Sequence, residues 1–382
     1  MKSALLETAY DLTGSVDMNA VFTTARAHGA TALAYYGAIN CGVDASSEVM
    51  RDAFSRVCRE LLVAERQTAD VASLTKKLAE IGVDFMPLKG VHLKKLYPKS
   101  EMRRMSDADI LVKIDQYDCI RPLMLSLGYT EGVESDHEYN WQKGSTHIEL
   151  HKYLIPSYNK DYFAYFGDGW RLAKRLDDSE FEYGMNAEDE MIYLFTHFAK
   201  HYRDSGIGVR HMTDLWVFRS ANPNLDEGYI KAELKKLQLV DFYANIIRTI
   251  AVWFEGAEGD EVTDFITEAV FASGEFGHKA TGVISSALKE KKTGKNANDI
   301  VRQKVLHSLF LPYKHMCVEY PVLKKAPALL PIMWCVRIVS RVLTKNKVKS
   351  YVEGELNISD EKIDAYQQTL NFVGLDFNFP EE

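Results

Sequence analysis

Paired cysteines are missing from this chain. Its five cysteines (Cys41, Cys58, Cys119, Cys317 and Cys335) show no CxxC or other paired spacing, which argues against a disulfide framework and a zinc knuckle and makes reduced cytoplasm the expected compartment. A secretory leader is missing too: MKSALLETAYDLTGS carries acids and hydroxyls where a leader needs a continuous apolar core, so no export is expected. Long apolar runs are absent. The strongest, APALLPIMWCV at 326–336, holds two prolines and falls well short of the roughly 20 residues that span a bilayer. A surplus of positive charge is absent as well: 46 Lys and Arg against 54 Asp and Glu leave −8, which disfavours a nucleic-acid coat and templated polymerisation on a duplex. Internal repeats and low-complexity segments are not found. What remains is a composition of 46% hydrophobic and 26% charged residues, that of an ordinary globular chain long enough for two or three units.

The charge is unevenly spread. Residues 321–351 contain Lys324, Lys325, Arg337, Arg341, Lys345, Lys347 and Lys349 and no acid, a +7 segment that could meet phosphate, an anionic membrane surface or only solvent. Residues 3–40 are Ala-rich, with breaks at Gly14 and Gly29, and residues 46–81 repeat apolar side chains three and four apart, so the first 80 residues read as helical. From Gly82 the period changes. VDFMPL (83–88) reads as a strand, Lys89-Gly90 as a turn, and VHLKKLY as a helix. DADILVKI (107–114) reads as a second strand, 116–127 as a helix, and 137–143 with 146–153 as a hairpin turning at Gly144-Ser145. Helical patterns then cover 188–203, 208–220, 226–256, 260–275 and 279–291, and 294–298 reads as an exposed loop.

Asp107 and Asp109 stand two apart at the head of a strand, so period-2 geometry puts both carboxylates on one face. Neighbouring anions repel unless a cation lies between them, and an oxygen-rich pair suits Mg²⁺, which keeps positions for water and substrate phosphates. Glu149, in the apolar setting of HIELH, is the candidate third acid. The bland reading of the pair is a strand-end cap with solvated acids. The Lys89-Gly90 turn, delivered by a strand to a helix start, is a candidate phosphate cradle, or else merely a tight turn. Arg103 and Arg104 are either phosphate-neutralising guanidiniums or loop solubilisers.

In order, LKG, YP, RRMSDADILV and HIELH resemble the uncharacterised nucleotidyltransferase branch of the DNA polymerase beta-like superfamily, over roughly residues 82–153. The resemblance implies an α+β fold: a small mixed-sheet core at 81–185, an N-terminal helical region at 1–80 and a C-terminal helical domain at 186–382 closing the cleft. It implies an in-line attack of a hydroxyl on the α-phosphate of a nucleoside triphosphate, with ATP the expected one, and loss of pyrophosphate. By the same resemblance Asp107, Asp109 and Glu149 are catalytic and hold two Mg²⁺. Lys89, Gly90, Arg103 and Arg104 face the phosphates, and Arg210 and Asp214 contact nucleotide or acceptor. The acceptor would be a hydroxyl of a small molecule or protein. Two departures stand out: the superfamily's usual Gly-Ser is replaced by Lys89-Gly90, as is usual in this branch, and the gap to Asp107 is long.

Other readings stay open. His197 and His201 are four apart on one helix, as are Arg210 and Asp214 on the next. The histidine pair lacks the Glu of HExxH, because Phe198 takes that place, and the second pair reads equally as an ordinary i,i+4 ion pair. His147, Glu149 and His151 alternate on one strand face and suggest a metal-dependent hydrolase, although three ligands from one strand seldom converge on one ion. A non-catalytic scaffold docking through 321–351 is the remaining alternative.

Overall fold

Apolar residues three, four or seven apart (Met50, Ala53, Val57, Ala64, Val71, Leu74 and Leu78) keep one stripe buried along a single helix, Glu48–Glu80 (α4). Three shorter helices precede it: α1 (Lys2–Leu6), α2 (Met18–Ala27) and α3 (Thr31–Asn40). Asp17 caps α2, its carboxylate accepting from the Asn19 and Ala20 amides. The computed structural model describes residues 1–12, 16–275, 277, 279–292, 294, 299, 306, 309–343 and 359–377. Of the expected breaks, Gly14 lies outside these residues, as does 295–298 of the expected loop; Gly29 has φ +63° between α2 and α3.

After α4 come β1 (Phe85–Pro87), α5 (Gly90–Leu93), β2 (Ala108–Val112), α6 (Tyr117–Ser126), β3 (Thr130–Glu131), β4 (Glu138–Lys143) and β5 (Thr146–His151). The five strands form one mixed sheet in the order β1-β2-β5-β4-β3. β2 pairs parallel with β5, and every other neighbouring pair is antiparallel. The fold is thus α+β. Its core lies on one face of the sheet, where Val71, Leu74 and Leu78 of α4 and Ile120 and Met124 of α6 pack on Ala108, Ile110, Val112, Ile148 and Leu150. A Leu or Ile so placed contributes about 1.5–3 kcal/mol by leaving water.

Of the helices that follow, α7 (Lys160–Phe166) lies outside the patterns read from the sequence, and α8 (Ala187–Asp204), α9 (Val209–Ala221), α10 (Glu227–Lys236), α11 (Val240–Phe254) and α12 (Glu261–Ser273) agree with them, with two further differences. The pattern at 226–256 is broken into α10 and α11, with Gln238 at φ 55° between them. A two-stranded ribbon, β6 (Lys174–Arg175) with β7 (Tyr183–Gly184), appears where no strand was expected; two-residue strands are too short to leave a periodic signal.

Met1–Tyr202, Gly206–Gly277 and Val373–Glu382 make one compact unit, which holds the sheet; Arg203–Ser205 and His278–Phe372 make a second. The second unit has its own small core around Met316, Cys317 and Leu323, with Trp334 and Met333 packed against it. The tract at 326–336 is divided between a 3₁₀ turn and the start of a helix, Leu330–Leu343. No helix among the described residues is long and apolar enough to cross a membrane. Of the seven basic residues, Arg337 is buried and paired with Glu319 at 3.0 Å; Lys345, Lys347 and Lys349 lie outside the described residues.

Candidate active site

The register of β2 and β5 sets Asp109 opposite Glu149. Side chains alternate along both strands, so residues of one parity share a face. Ala108, Ile110 and Val112 with Ile148 and Leu150 therefore turn to the core, and Asp107, Asp109, His147, Glu149 and His151 turn to the opposite face.

Asp109 is 4% exposed, in a central strand whose residues are all buried. It is fully compensated by side chains: Lys89 Nζ lies 2.9 Å from Oδ1, and His151 Nε2 lies 2.7 Å from the same atom. Burial alone would raise its pKa; the Lys89 ammonium and the His151 contact overcome that and hold it well below the carboxylate range. Burial likewise works against the Lys89 ammonium, and Asp109 outweighs it, so the Lys89 pKa rises. For His151, burial and Lys89 oppose protonation, and the contacts with Asp109 and Glu149 prevail, raising its pKa. Its Nδ1 is buried without a partner among the described residues.

Asp107, His147 and Glu149 make a second, partly exposed group whose ligand atoms all lie within 4.8 Å of one another, and Asp109, Glu149 and His151 make a buried group of the same reach. Glu149 belongs to both. Its pKa is raised, first by burial and then by the carboxylates of Asp109, Asp107 and Glu138, against the His151 hydrogen bond. Oxygen donors with one imidazole in each group fit a divalent cation. The set His147, Glu149 and His151 does not gather on one point among the described residues: the two imidazoles belong to different groups.

Lys89 has φ 41° and ψ −109°, a conformation that favours glycine and costs about 1–3 kcal/mol in other residues. It heads a turn closed by the Val91 amide donating to the Leu88 carbonyl at 3.1 Å. The His92 and Leu93 amides donate to the Lys89 carbonyl, and α5 is a single turn, so little helix dipole stands behind this corner. The contribution expected from a helix start is correspondingly small, and the positive charge at this corner comes from the Lys89 and Arg103 side chains. Gly90 is required by close approach: a Cβ would meet Arg103 Nη1 at 2.6 Å and Met105 Cγ at 2.8 Å.

Arg103 is buried and gripped by Asp214 through two bonds, Nε to Oδ1 at 3.2 Å and Nη2 to Oδ2 at 2.9 Å; the Tyr97 hydroxyl donates to the same Oδ1 at 2.7 Å. Burial would raise the Asp214 pKa, and Arg103 reverses it. The expected i,i+4 ion pair of Arg210 with Asp214 is not formed among the described residues. Arg210 donates to the Arg104 carbonyl at 3.2 Å and lies 3.5 Å from Glu275, which Arg104 also reaches at 3.3 Å. Glu275 was not singled out from the sequence, and Tyr97 only as part of the YP motif; each meets its partners only through long-range folding.

His197 and His201 face each other, with Nε2 atoms 3.1 Å apart. Burial and nearby cations, Lys89 among them, hold both pKa values well below the ordinary one. No group of three metal-binding side chains includes them among the described residues.

A profile described as an uncharacterised nucleotidyltransferase matches residues 14–255. The chain belongs to the uncharacterised nucleotidyltransferase family, and its class is that of a transferase. Among solved structures, the solution structure of the antibiotic-resistance factor ANT(2'')-Ia is similar at a TM-score of 0.34 and 9% identity, covering 50% of this chain and 98% of that chain; so distant a likeness carries no argument. No curated protein matches.

Proposed function

We propose that this family member moves a nucleoside monophosphate from a nucleoside triphosphate, ATP by preference, to a hydroxyl of a small molecule or protein, releasing pyrophosphate. The observation that supports it most is the pair of carboxylate groups joined at Glu149, on the polar face of a sheet whose first strand ends at the Lys89-Gly90 turn. In this reading Asp107, Asp109 and Glu149 hold the divalent cations, Mg²⁺ being the ordinary choice for phosphate chemistry. When bound, such ions lower the pKa of the attacking hydroxyl and neutralise charge on the phosphates.

This chain's own residues carry the rest. The acceptor oxygen bonds to the α-phosphorus as the bond to the β-phosphate bridging oxygen breaks, and Glu149, beside the ion nearer the acceptor, takes the hydroxyl proton. Lys89 exchanges part of its hold on Asp109 for the leaving pyrophosphate. Arg104 and Arg210 line the phosphate side. Arg103, gripped by Asp214, fixes the wall against which Gly90 lies and so orients the turn.

The test is incubation with divalent cation and each labelled triphosphate, followed by a search for nucleotidylated product in cell extract. Loss of triphosphate binding and product in the Asp107→Ala plus Asp109→Ala variant is the expected result. If no triphosphate binds, and the double variant behaves as the parent does, the reading is wrong.

A further inference from the structure

His147 stands on β5 diagonally across from Asn140 of β4, and Asn140 is directly opposite Glu149. His147 Nε2 lies 3.1 Å from Asn140 Oδ1. The amide cannot be turned around without loss, because Asn140 Nδ2 donates to the Val133 carbonyl at 2.9 Å and to Glu138 Oε1 at 3.3 Å. A carboxamide oxygen only accepts, so the neutral imidazole carries its proton on Nε2 and leaves a lone pair on Nδ1. That Nδ1 is 4.0 Å from Glu149 Oε1, too far for a hydrogen bond. With Nε2 engaged by Asn140, Nδ1 faces Glu149 beside Asp107, and the ligand atoms of the three residues all lie within 4.8 Å of one another, a spacing that a cation can bridge. Metal-binding imidazoles are commonly held in this way, the far nitrogen donating to a fixed oxygen.

We infer that His147 is a ligand of the ion held by Asp107 and Glu149, and that this nitrogen donor makes the position selective for Mn²⁺ or Co²⁺ over Mg²⁺. The inference rests on the assignment of those acids to a divalent ion and adds the identity of that ion. Mg²⁺ takes oxygen almost exclusively, whereas a nitrogen donor adds affinity for first-row transition ions in the order Mn²⁺ below Co²⁺, so the gain is smaller for Mn²⁺ than for Co²⁺. The buried group differs, because Lys89 and the His151 proton already compensate Asp109.

The experiment uses the full chain with one equivalent of Mn²⁺. Pulsed electron paramagnetic resonance of the parent is expected to show coupling to a ¹⁴N nucleus, and calorimetry to show Mn²⁺ and Co²⁺ binding more tightly than Mg²⁺. In His147→Ala the coupling is lost, and Mn²⁺ and Co²⁺ weaken by about 10- to 100-fold while Mg²⁺ changes little. Absence of nitrogen coupling in the parent overturns the inference without need of any variant, as does coupling that persists in His147→Ala. Asp107→Ala separates the two levels: if it weakens Mn²⁺ while His147→Ala does not, the acids stand and the nitrogen ligand falls; if neither matters, the metal assignment under the proposed function falls too.

Discussion

Asp107 and Asp109 lie two residues apart before and on one strand, yet their surroundings are opposite. Asp109 is buried and touched by Lys89 and His151; Asp107 is partly exposed, with Ser106 Oγ donating to it at 3.0 Å and an imidazole and a second carboxylate nearby. The inner acid thus has a structural role besides the metal-binding one proposed for it. The outer acid is free of cationic side-chain partners among the described residues and is open to a soluble one. The same residue type in neighbouring places is thus compensated within the protein at one position and left open at the other.

The sharpest way to break this contrast is to remove each acid separately. Asp109→Ala leaves the largely covered Lys89 ammonium without its anion and is expected to cost about 3 kcal/mol or more in urea unfolding, whereas Asp107→Ala is expected to stay within about 0.5 kcal/mol. Equal losses would refute the division. A smaller effect is expected at the corner that carries Lys89: Gly90→Ala pushes a methyl into Arg103 and Met105, at about 1–3 kcal/mol by the same assay. Normal stability there would mean that the corner gives way freely.

The smallest effect reverses sign. The folded pKa of Glu149 lies above its unfolded value, so its contribution to stability is present below the unfolded pKa of about 4.3 and is lost as pH rises through the folded one. At pH 7 the ionised side chain opposes folding of the metal-free chain. Glu149→Gln is expected to stabilise that chain by about 0.5–2 kcal/mol at neutral pH, with the gain fading as the buffer is taken below about pH 4, and to abolish transfer. A variant less stable than the parent at pH 7 would show that Glu149 is compensated as Asp109 is. The same logic with opposite sign holds for Asp109, whose depressed pKa contributes stability above about pH 3.9 that is lost on acidification.

Much of the sheet was legible because its signals are local. The alternation in HIELH and the spacing of Asp107 and Asp109 place three acids on one face once β2 and β5 pair, and Gly144-Ser145 marks the hairpin. The long buried stripe of α4 was likewise readable. Partnerships across the chain were not. The helical spacing of Arg210 and Asp214 suggested a local pair, but the guanidinium that grips Asp214 comes from Arg103, far earlier in the chain. A two-bond grip in a buried setting prevails over a single-turn neighbour. The Lys89 contact with Asp109 was hidden for a related reason: a lysine at a turn reads as a point charge for phosphate, and nothing in the local sequence shows that a buried carboxylate lies within its reach. Gln238 at positive φ interrupts a helical pattern without the glycine that would have announced it.

The parallel pairing of β2 with β5 has a consequence for how the protein comes into being. Asp109 and Glu149 are about forty residues apart in the chain, joined by a helix and two further strands, and such non-local pairing forms late because the intervening loop must close first. During synthesis the Lys89 corner and the Asp109 strand emerge before the second acid exists. A chain halted ahead of β5 has neither the shared carboxylate nor either imidazole, so it lacks both proposed ion positions. On the proposed reading a chain halted there is inert, and one that stops just after β5 has both ion positions but still lacks Arg210 and Asp214 of α9.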